Sequence, residues 1–191
     1  MRITRRSTIA DVAAVVATAL RDAGFDAILT GGACAAIYSA GAYVSHDLDF
    51  IIRAGGGRAA LDEALSAVGF ARKHDRYVHP KTTFFVEFPR GPLSIGEDTD
   101  IRPARLKVGR LTIAALSPTD SCRDRLAAFY HWSDRQSLRS AVEIAVRARV
   151  NMAAIRRWSE REGAPDKFQE FREEVSRRRA RRLLSGRARN R

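Results

Sequence analysis

Asp47-Leu48-Asp49-Phe50 decides how this chain is read, because two carboxylates separated by one apolar residue follow fifteen positions after a Thr30-Gly31-Gly32 turn. Side chains of an extended strand alternate between its faces, so Asp47 and Asp49 point one way while Leu48 and Phe50 point into packing. Two converging carboxylates make a seat for Mg²⁺, which typically takes one or two carboxylates and completes its octahedron with water and substrate phosphates. The glycines upstream let a backbone approach those phosphates closely.

Working outward, Thr8 and Asp11 have capping-box spacing, and Ile9, Val12, Val15, Val16, Ala19 and Leu20 recur at helical intervals, which predicts a helix over 9–22. Residues 26–30 read as a short buried strand, Gly31-Gly32 opens a helix running to 40, and 47–53 is the next strand. A Gly55-Gly56-Gly57 turn leads to a helix over 58–68. Three β segments follow at 70–73, 76–79 and 83–88, the last apolar apart from Glu87. Residues 93–103 read as a loop whose acids, Glu97, Asp98 and Asp100, face solvent. A hairpin follows, with strands at 106–108 and 111–115 turning at Gly109-Arg110. Beyond Ser117-Pro118 the pattern is purely helical: 119–131, 134–148, 151–161 and 165–184. The expected fold class is α+β, with a mixed sheet flanked by helices over 1–116, an all-α C-terminal region over 117–184, and a basic, disordered tail over 185–191.

A chain of 191 residues is long enough for such a module and its helical appendage. The net charge of +12 suggests a nucleic-acid partner until it is located: residues 177–191 hold eight arginines and no acid, leaving +4 for the first 176 residues. An Arg-rich terminus can hold phosphate backbones by counterion release, and it can equally be a solvated end. Arginine outnumbers lysine 30 to 4, so a GC-rich genome accounts for part of the basicity without any function. Cys34 and Cys122 fall in segments that read as buried helix, with no CxxC pair and no metal-ligand spacing, which places the chain in a reducing cytoplasm. Residues 1–8 are basic but precede an amphipathic helix, so neither a signal peptide nor a membrane span is expected.

The order Thr30-Gly31-Gly32, then Ser45-His46-Asp47-Leu48-Asp49, then an acid at Glu87 in a later apolar strand, resembles the nucleotidyltransferase superfamily related to DNA polymerase beta. That resemblance implies a mixed sheet in which the glycine pair begins a helix over a nucleoside triphosphate, with two metal-binding acids on one strand and a third on its neighbour. The run Asp124-Arg125-Leu126-Ala127-Ala128-Phe129-Tyr130-His131-Trp132, followed by Asp134-Arg135, resembles the C-terminal helices of bacterial nucleotidyltransferases of abortive-infection and toxin–antitoxin type. It implies Mg²⁺-dependent transfer of NMP from an NTP substrate to a hydroxyl of an RNA, such as tRNA, or of a protein, with a cognate antitoxin protein as a candidate partner. The likeness spans about residues 25–160.

On this reading Asp47 and Asp49 bind Mg²⁺, Glu87 completes a two-metal site or acts as base, and Thr30, Gly31, Gly32, Ser45 and Arg125 hold the nucleotide. Two departures stand out. Many relatives carry an arginine where this chain has Tyr43, and a lysine where it has Arg125. Arg125 keeps a charge able to grip phosphate in bidentate fashion, or it is spent on an ion pair with Asp120 or Asp124. Ser45 binds phosphate or caps a local turn, His46 faces away from both acids, and His74, His79 and His131 lack ligand spacing. Trp132 and Trp158 are expected in the core. The competing functions are a non-catalytic nucleotide- or nucleic-acid-binding regulator on the same fold, and a nucleic-acid module acting through its arginine tail.

Overall fold

The computed structural model describes the backbone of residues 2–189 and the side chains of residues 2–185. Helix α1 (Ile9–Asp22) begins at the capping box read from the sequence: the Asp11 amide donates to Thr8 Oγ1 at 3.2 Å and the Thr8 amide to Asp11 Oδ2 at 2.9 Å. Strand β1 (Asp26–Leu29) then runs into α2 (Gly31–Tyr38), and β2 (Asp47–Ala54) into α3 (Arg58–Ser66). Strands β3 (Ala71–Lys73), β4 (Arg76–Val78) and β5 (Phe85–Glu87) are short, and β6 (Ala104–Val108) and β7 (Leu111–Ala115) form the hairpin turning at Gly109-Arg110.

All seven strands join one mixed sheet in the order β3-β4-β5-β2-β1-β7-β6. β2 lies near its centre, antiparallel to β1 and parallel to β5. Leu48, Phe50 and Val86 are fully buried on the inner face, so a one-residue slip of β2 against β5 would send that apolar set to the outer face. The opposite face of β2 is left to Asp47 and Asp49.

Four helices follow the sheet: α4 (Pro118–Trp132), α5 (Arg135–Arg147), α6 (Met152–Arg161) and α7 (Pro165–Arg189). Each of the first three carries a side-chain N-cap, from Ser117, Asp134 and Asn151 respectively. α2 packs on α4 and α5, and one hydrophobic cluster runs from Ile28, Leu29 and Cys34 through Leu126 and Leu138 to Trp158 and Phe171. The change from sheet to helix near 116–118 is therefore a change of secondary structure within a continuous core. Trp158 stacks on Tyr130 at 5.4 Å between ring centres, the Arg123 guanidinium lies over the Trp158 ring at 5.1 Å, and the Tyr130 hydroxyl bonds Ser159 Oγ at 2.8 Å.

Three expectations are corrected. Trp132 is 77% exposed, because Phe129 and Tyr130 take the core-facing arc of the last turn of α4 and position 132 falls off it. Asp98 is paired, its carboxylate bridging Arg123 of α4 and Arg161 of α6, while Glu97 and Asp100 are exposed. The final helix continues past 184 to Arg189, since arginine, alanine and leucine are strong helix formers and a single Gly186 costs only about 1 kcal/mol. Residues 190–191 of the basic tail lie outside the described residues. Among the described residues no helix is long and apolar enough to cross a membrane.

Candidate active site

The site is built where β1 ends, α2 begins and β2 passes beneath both. Thr30 leaves β1 in extended conformation and its amide donates to the Asp49 carbonyl at 2.9 Å, which fixes the entry of α2 against the middle of β2. Gly31 then adopts a φ of +60°, a backbone that any residue with a Cβ strains to enter. A Cβ at Gly31 would collide with Oδ2 of Asp49, and one at Gly32 would lie 2.5 Å from Ser45 Oγ. The two glycines thus allow the first turn of α2, with its unpaired amides and positive dipole end, to sit directly on the carboxylates of β2.

Register completes the acidic group. Asp49 is the direct partner of Glu87 across the parallel β2–β5 pair, and Asp47 is the partner of Phe85, so Asp47, Asp49 and Glu87 share one sheet face. Ser45 Oγ donates to Oδ1 of Asp47. Among the described residues, the carboxylates of Asp49 and Glu87 accept no hydrogen bond and form no ion pair. Burial first, then the charges of Asp47 and Glu87, push the Asp49 carboxyl up to about 6, against the opposing pull of Arg125. Glu87 is raised too, by burial and then by Asp47. Half-buried carboxylates that share one sheet face, with Arg125 opposing their charge, form a site short of positive charge.

A cleft of about 290 Å³ opens over the Asp49 member of the group, lined by Thr30, Gly31, Asp49, Pro92, Asp124 and Arg125 among others. Its volume is at the small end of ligand pockets, enough for a polyphosphate with the remainder of a nucleotide projecting outward. Leu93 and Ser94 form one wall. That wall is tied down where Asp98 bridges Arg123 and Arg161 and where the Glu97 amide donates to Glu162 at 2.9 Å. Arg125 reaches the cleft from α4, but its Nε and Nη2 both bond Asp124 Oδ2, at 3.0 and 2.7 Å. Burial works against its charge, while Asp124, Tyr43 and Asp49 more than offset that and raise its pKa.

Thr30, Gly31, Asp49 and Arg125 therefore line the cleft itself. Gly32, Ser45 and Asp47 form a contiguous cluster beside it, and Glu87 stands one strand away. Asp124 is the member that the motif order does not reveal as a wall of the site. It precedes Arg125 directly, and only the packing of α4 against α2 carries it to Asp49. Among the described residues no three His, Cys, Asp or Glu side chains enclose a metal position. The arrangement suits a cation that takes one or two carboxylates and draws its remaining oxygens from phosphate and water, and it does not suit an all-protein cage.

No protein-family model and no curated protein sequence matches the chain. Among solved structures, the chain is similar to an antigenic nucleotidyltransferase-like protein from Paracoccidioides brasiliensis, with a TM-score of 0.51 and 16% identity over 71% of this chain and 74% of that one. At that identity the likeness concerns the fold: a nucleotidyltransferase-like α+β architecture with a C-terminal helical part.

Proposed function

We propose that the protein is a Mg²⁺-dependent nucleotidyltransferase that moves a nucleoside monophosphate from an NTP to a hydroxyl of an RNA, such as tRNA, or of a protein. The observation that carries this reading is the seating of the Gly31-Gly32 helix start on the partnerless carboxylate of Asp49. An anion cradle and a cation seat meet there within one turn of backbone, and a metal-bound polyphosphate needs both.

Asp47 and Asp49 would hold the ion, with Glu87 supporting it from β5; once bound, Mg²⁺ supplies charge neutralisation and orientation of the phosphates. The first-turn amides of α2 take phosphate oxygens, and Thr30 fixes that turn to β2. Ser45 orients Asp47 through its hydrogen bond. Arg125 exchanges Asp124 for the polyphosphate when the nucleotide enters. The acceptor oxygen bonds to the α-phosphorus, the α–β bridging bond breaks, pyrophosphate leaves, and the acceptor proton passes to a carboxylate of the site or to water.

Purified protein incubated with labelled NTPs, Mg²⁺ and total RNA should label an acceptor, and Asp47→Ala and Asp49→Ala should each abolish the labelling. Labelling that persists in both variants refutes the reading. A second reading, a nucleotide-binding regulator without turnover, is favoured by one observation: Arg125 is already held by Asp124. Calorimetric binding of Mg²⁺–NTP with no product across RNA and protein acceptors would select it. A place in a toxin–antitoxin or abortive-infection system rests on the likeness of the 124–135 helical run, and co-purification of a small protein encoded by an adjacent reading frame tests it.

A further inference from the structure

Beside the cleft, and separate from it, a groove of about 620 Å³ runs between α5, α7 and the segment that leads into β2. Its walls carry Arg135 and Arg139 from α5 and Arg178 and Arg181 from α7, and its mouth carries Tyr43 and Val44. Arg135 and Arg139 are one turn apart, about 6 Å along the helix axis, and so share a face. Arg178 and Arg181 are likewise neighbours at i, i+3 on the facing helix. The groove is therefore an arginine channel with two walls, built from four side chains of fixed register.

Its acids are already engaged. Glu143 is gripped by Arg147 and by Arg178, the latter at 2.6 Å, and Glu174 by Arg177 at 3.0 Å. Arg135 pairs with Glu170 at the rim. Among the described residues Arg139 and Arg181 form no ion pair, so each wall presents one uncommitted guanidinium. Burial and the nearby guanidinium groups of Arg182 and Arg178 lower the pKa of Arg147, so positive charge is crowded along the same seam. Ser140, 1% exposed, also belongs to the lining, and its hydroxyl has no hydrogen-bond partner.

The groove adjoins the cleft through packed helices: α4, which carries Asp124 and Arg125 of the cleft, packs along α5 of the groove, and α2 packs on both. Tyr43 lines the groove and stands close enough to Arg125 of the cleft to raise that residue's pKa, and Asp134, which caps α5, also feels Arg125. Two residues beyond Tyr43 the chain reaches Ser45, and four and six residues beyond it Asp47 and Asp49 of β2. Val44, 65% exposed, adds an apolar edge at the junction.

We propose that this groove is the track for the phosphodiester backbone of a polynucleotide, RNA or DNA, whose end enters the cleft past Tyr43 and Val44. Guanidinium groups on two facing walls suit a chain of phosphates, and the apolar edge suits a base at its end. The destination of the strand rests on the nucleotidyl-transfer reading; its binding does not.

The test is fluorescence anisotropy of a short labelled single-stranded RNA, and of a DNA of the same sequence, on the full chain without nucleotide across a salt series. The double variant Arg139→Ala/Arg181→Ala leaves no acid among the described residues newly unpaired, so the fold is retained. It should lower the slope of log affinity against log salt by about 1.4, or about 0.7 for each lost phosphate contact. Its affinity deficit should accordingly narrow about sevenfold between 50 and 200 mM salt. Arg105→Ala/Lys107→Ala removes the same charge from β6, outside the groove, and should leave the slope unchanged. Tighter binding by one arm identifies RNA or DNA as the source of the backbone.

Equal effects of the two double variants, no effect of the groove pair, or no binding of either nucleic acid with label going to a protein acceptor instead would overturn the proposal. Groove-dependent binding without nucleotidyl transfer would sink the activity and leave the groove standing. Transfer to a nucleic acid that is indifferent to Arg139 and Arg181 would do the reverse.

Discussion

Gly31 and Asp49 are in closest approach at the point where α2 meets β2: the space that a side chain at 31 would need is filled by the Asp49 carboxylate. The same glycine holds a φ of +60°. Both constraints act on one residue, so the anion-binding helix start and the cation-binding carboxylate are positioned by a single backbone feature.

Gly31→Ala should therefore act twice. The left-handed backbone costs about 1–3 kcal/mol in stability. Displacement of Asp49 should in addition abolish Mg²⁺-dependent nucleotide binding, beyond what the stability loss explains. Denaturant unfolding and calorimetry with Mg²⁺–NTP on the same preparation separate the two effects. A variant that binds Mg²⁺–NTP normally would show that the close approach has no role in the site.

The acidic group predicts a pH signature for the metal-free protein. Asp49 titrates near 6 in the fold, above its ordinary value of 3.8, so the folded state holds more protons between those limits. Its burial costs nothing below about pH 4; the penalty grows from there to about pH 6 and levels off above it. Asp49→Asn should thus be more stable than the parent above pH 6, by about 1 kcal/mol after allowance for solvent screening, and the two should converge towards pH 4. Urea midpoints across that range measure it; a constant gap would contradict the assignment.

Arg125 and Asp124 should have opposite effects on nucleotide affinity. Loss of a charge-assisted contact to phosphate costs about 1.5–3 kcal/mol, so Arg125→Ala should raise the KM for NTP roughly 10- to 100-fold. Asp124→Asn removes the competing carboxylate and should lower KM severalfold with little change in kcat. Steady-state kinetics on both variants decide the matter, and a rise in KM for Asp124→Asn would make the pair a structural unit instead of a gate.

The wall over the cleft depends on Asp98. Asp98→Ala should cost about 1 kcal/mol, because Arg123, its side chain 11% exposed, loses one of its two carboxylate partners and retains Asp120 and the Trp158 ring. It should also loosen the 93–101 segment, which would keep only the hydrogen bond from the Glu97 amide to Glu162 as its tie to the end of α6. Faster proteolytic cutting within that segment, measured against global unfolding, is the expected result.

How far the chain could be read before its structure differs from residue to residue, for physical reasons. Asp47, Asp49 and the core-facing Leu48 and Phe50 were legible because strand alternation is strict. Glu87 was legible as an acid in an apolar strand, though its register opposite Asp49 depends on a parallel pairing across a long crossover that local pattern does not encode. Asp124 is not legible as a wall of the site, because nothing within α4 distinguishes it from an ordinary ion-pair partner of Arg125. Trp132 is exposed because the buried arc of the last turn of α4 is taken by Phe129 and Tyr130, and aromatic character alone does not say which side of that arc a residue falls on. The arginine groove was invisible for a related reason: its walls lie some 40 residues apart, on helices that only tertiary packing brings together.

The central claim is that Asp47 and Asp49, under the Gly31-Gly32 helix start, form a metal–polyphosphate seat. The most direct measurement is electron paramagnetic resonance of Mn²⁺, as a stand-in for Mg²⁺, titrated into the protein with a non-hydrolysable NTP analogue. Bound Mn²⁺ should require the nucleotide and should disappear in Asp47→Ala and in Asp49→Ala. Nucleotide-dependent Mn²⁺ binding that is undiminished in both variants would contradict it.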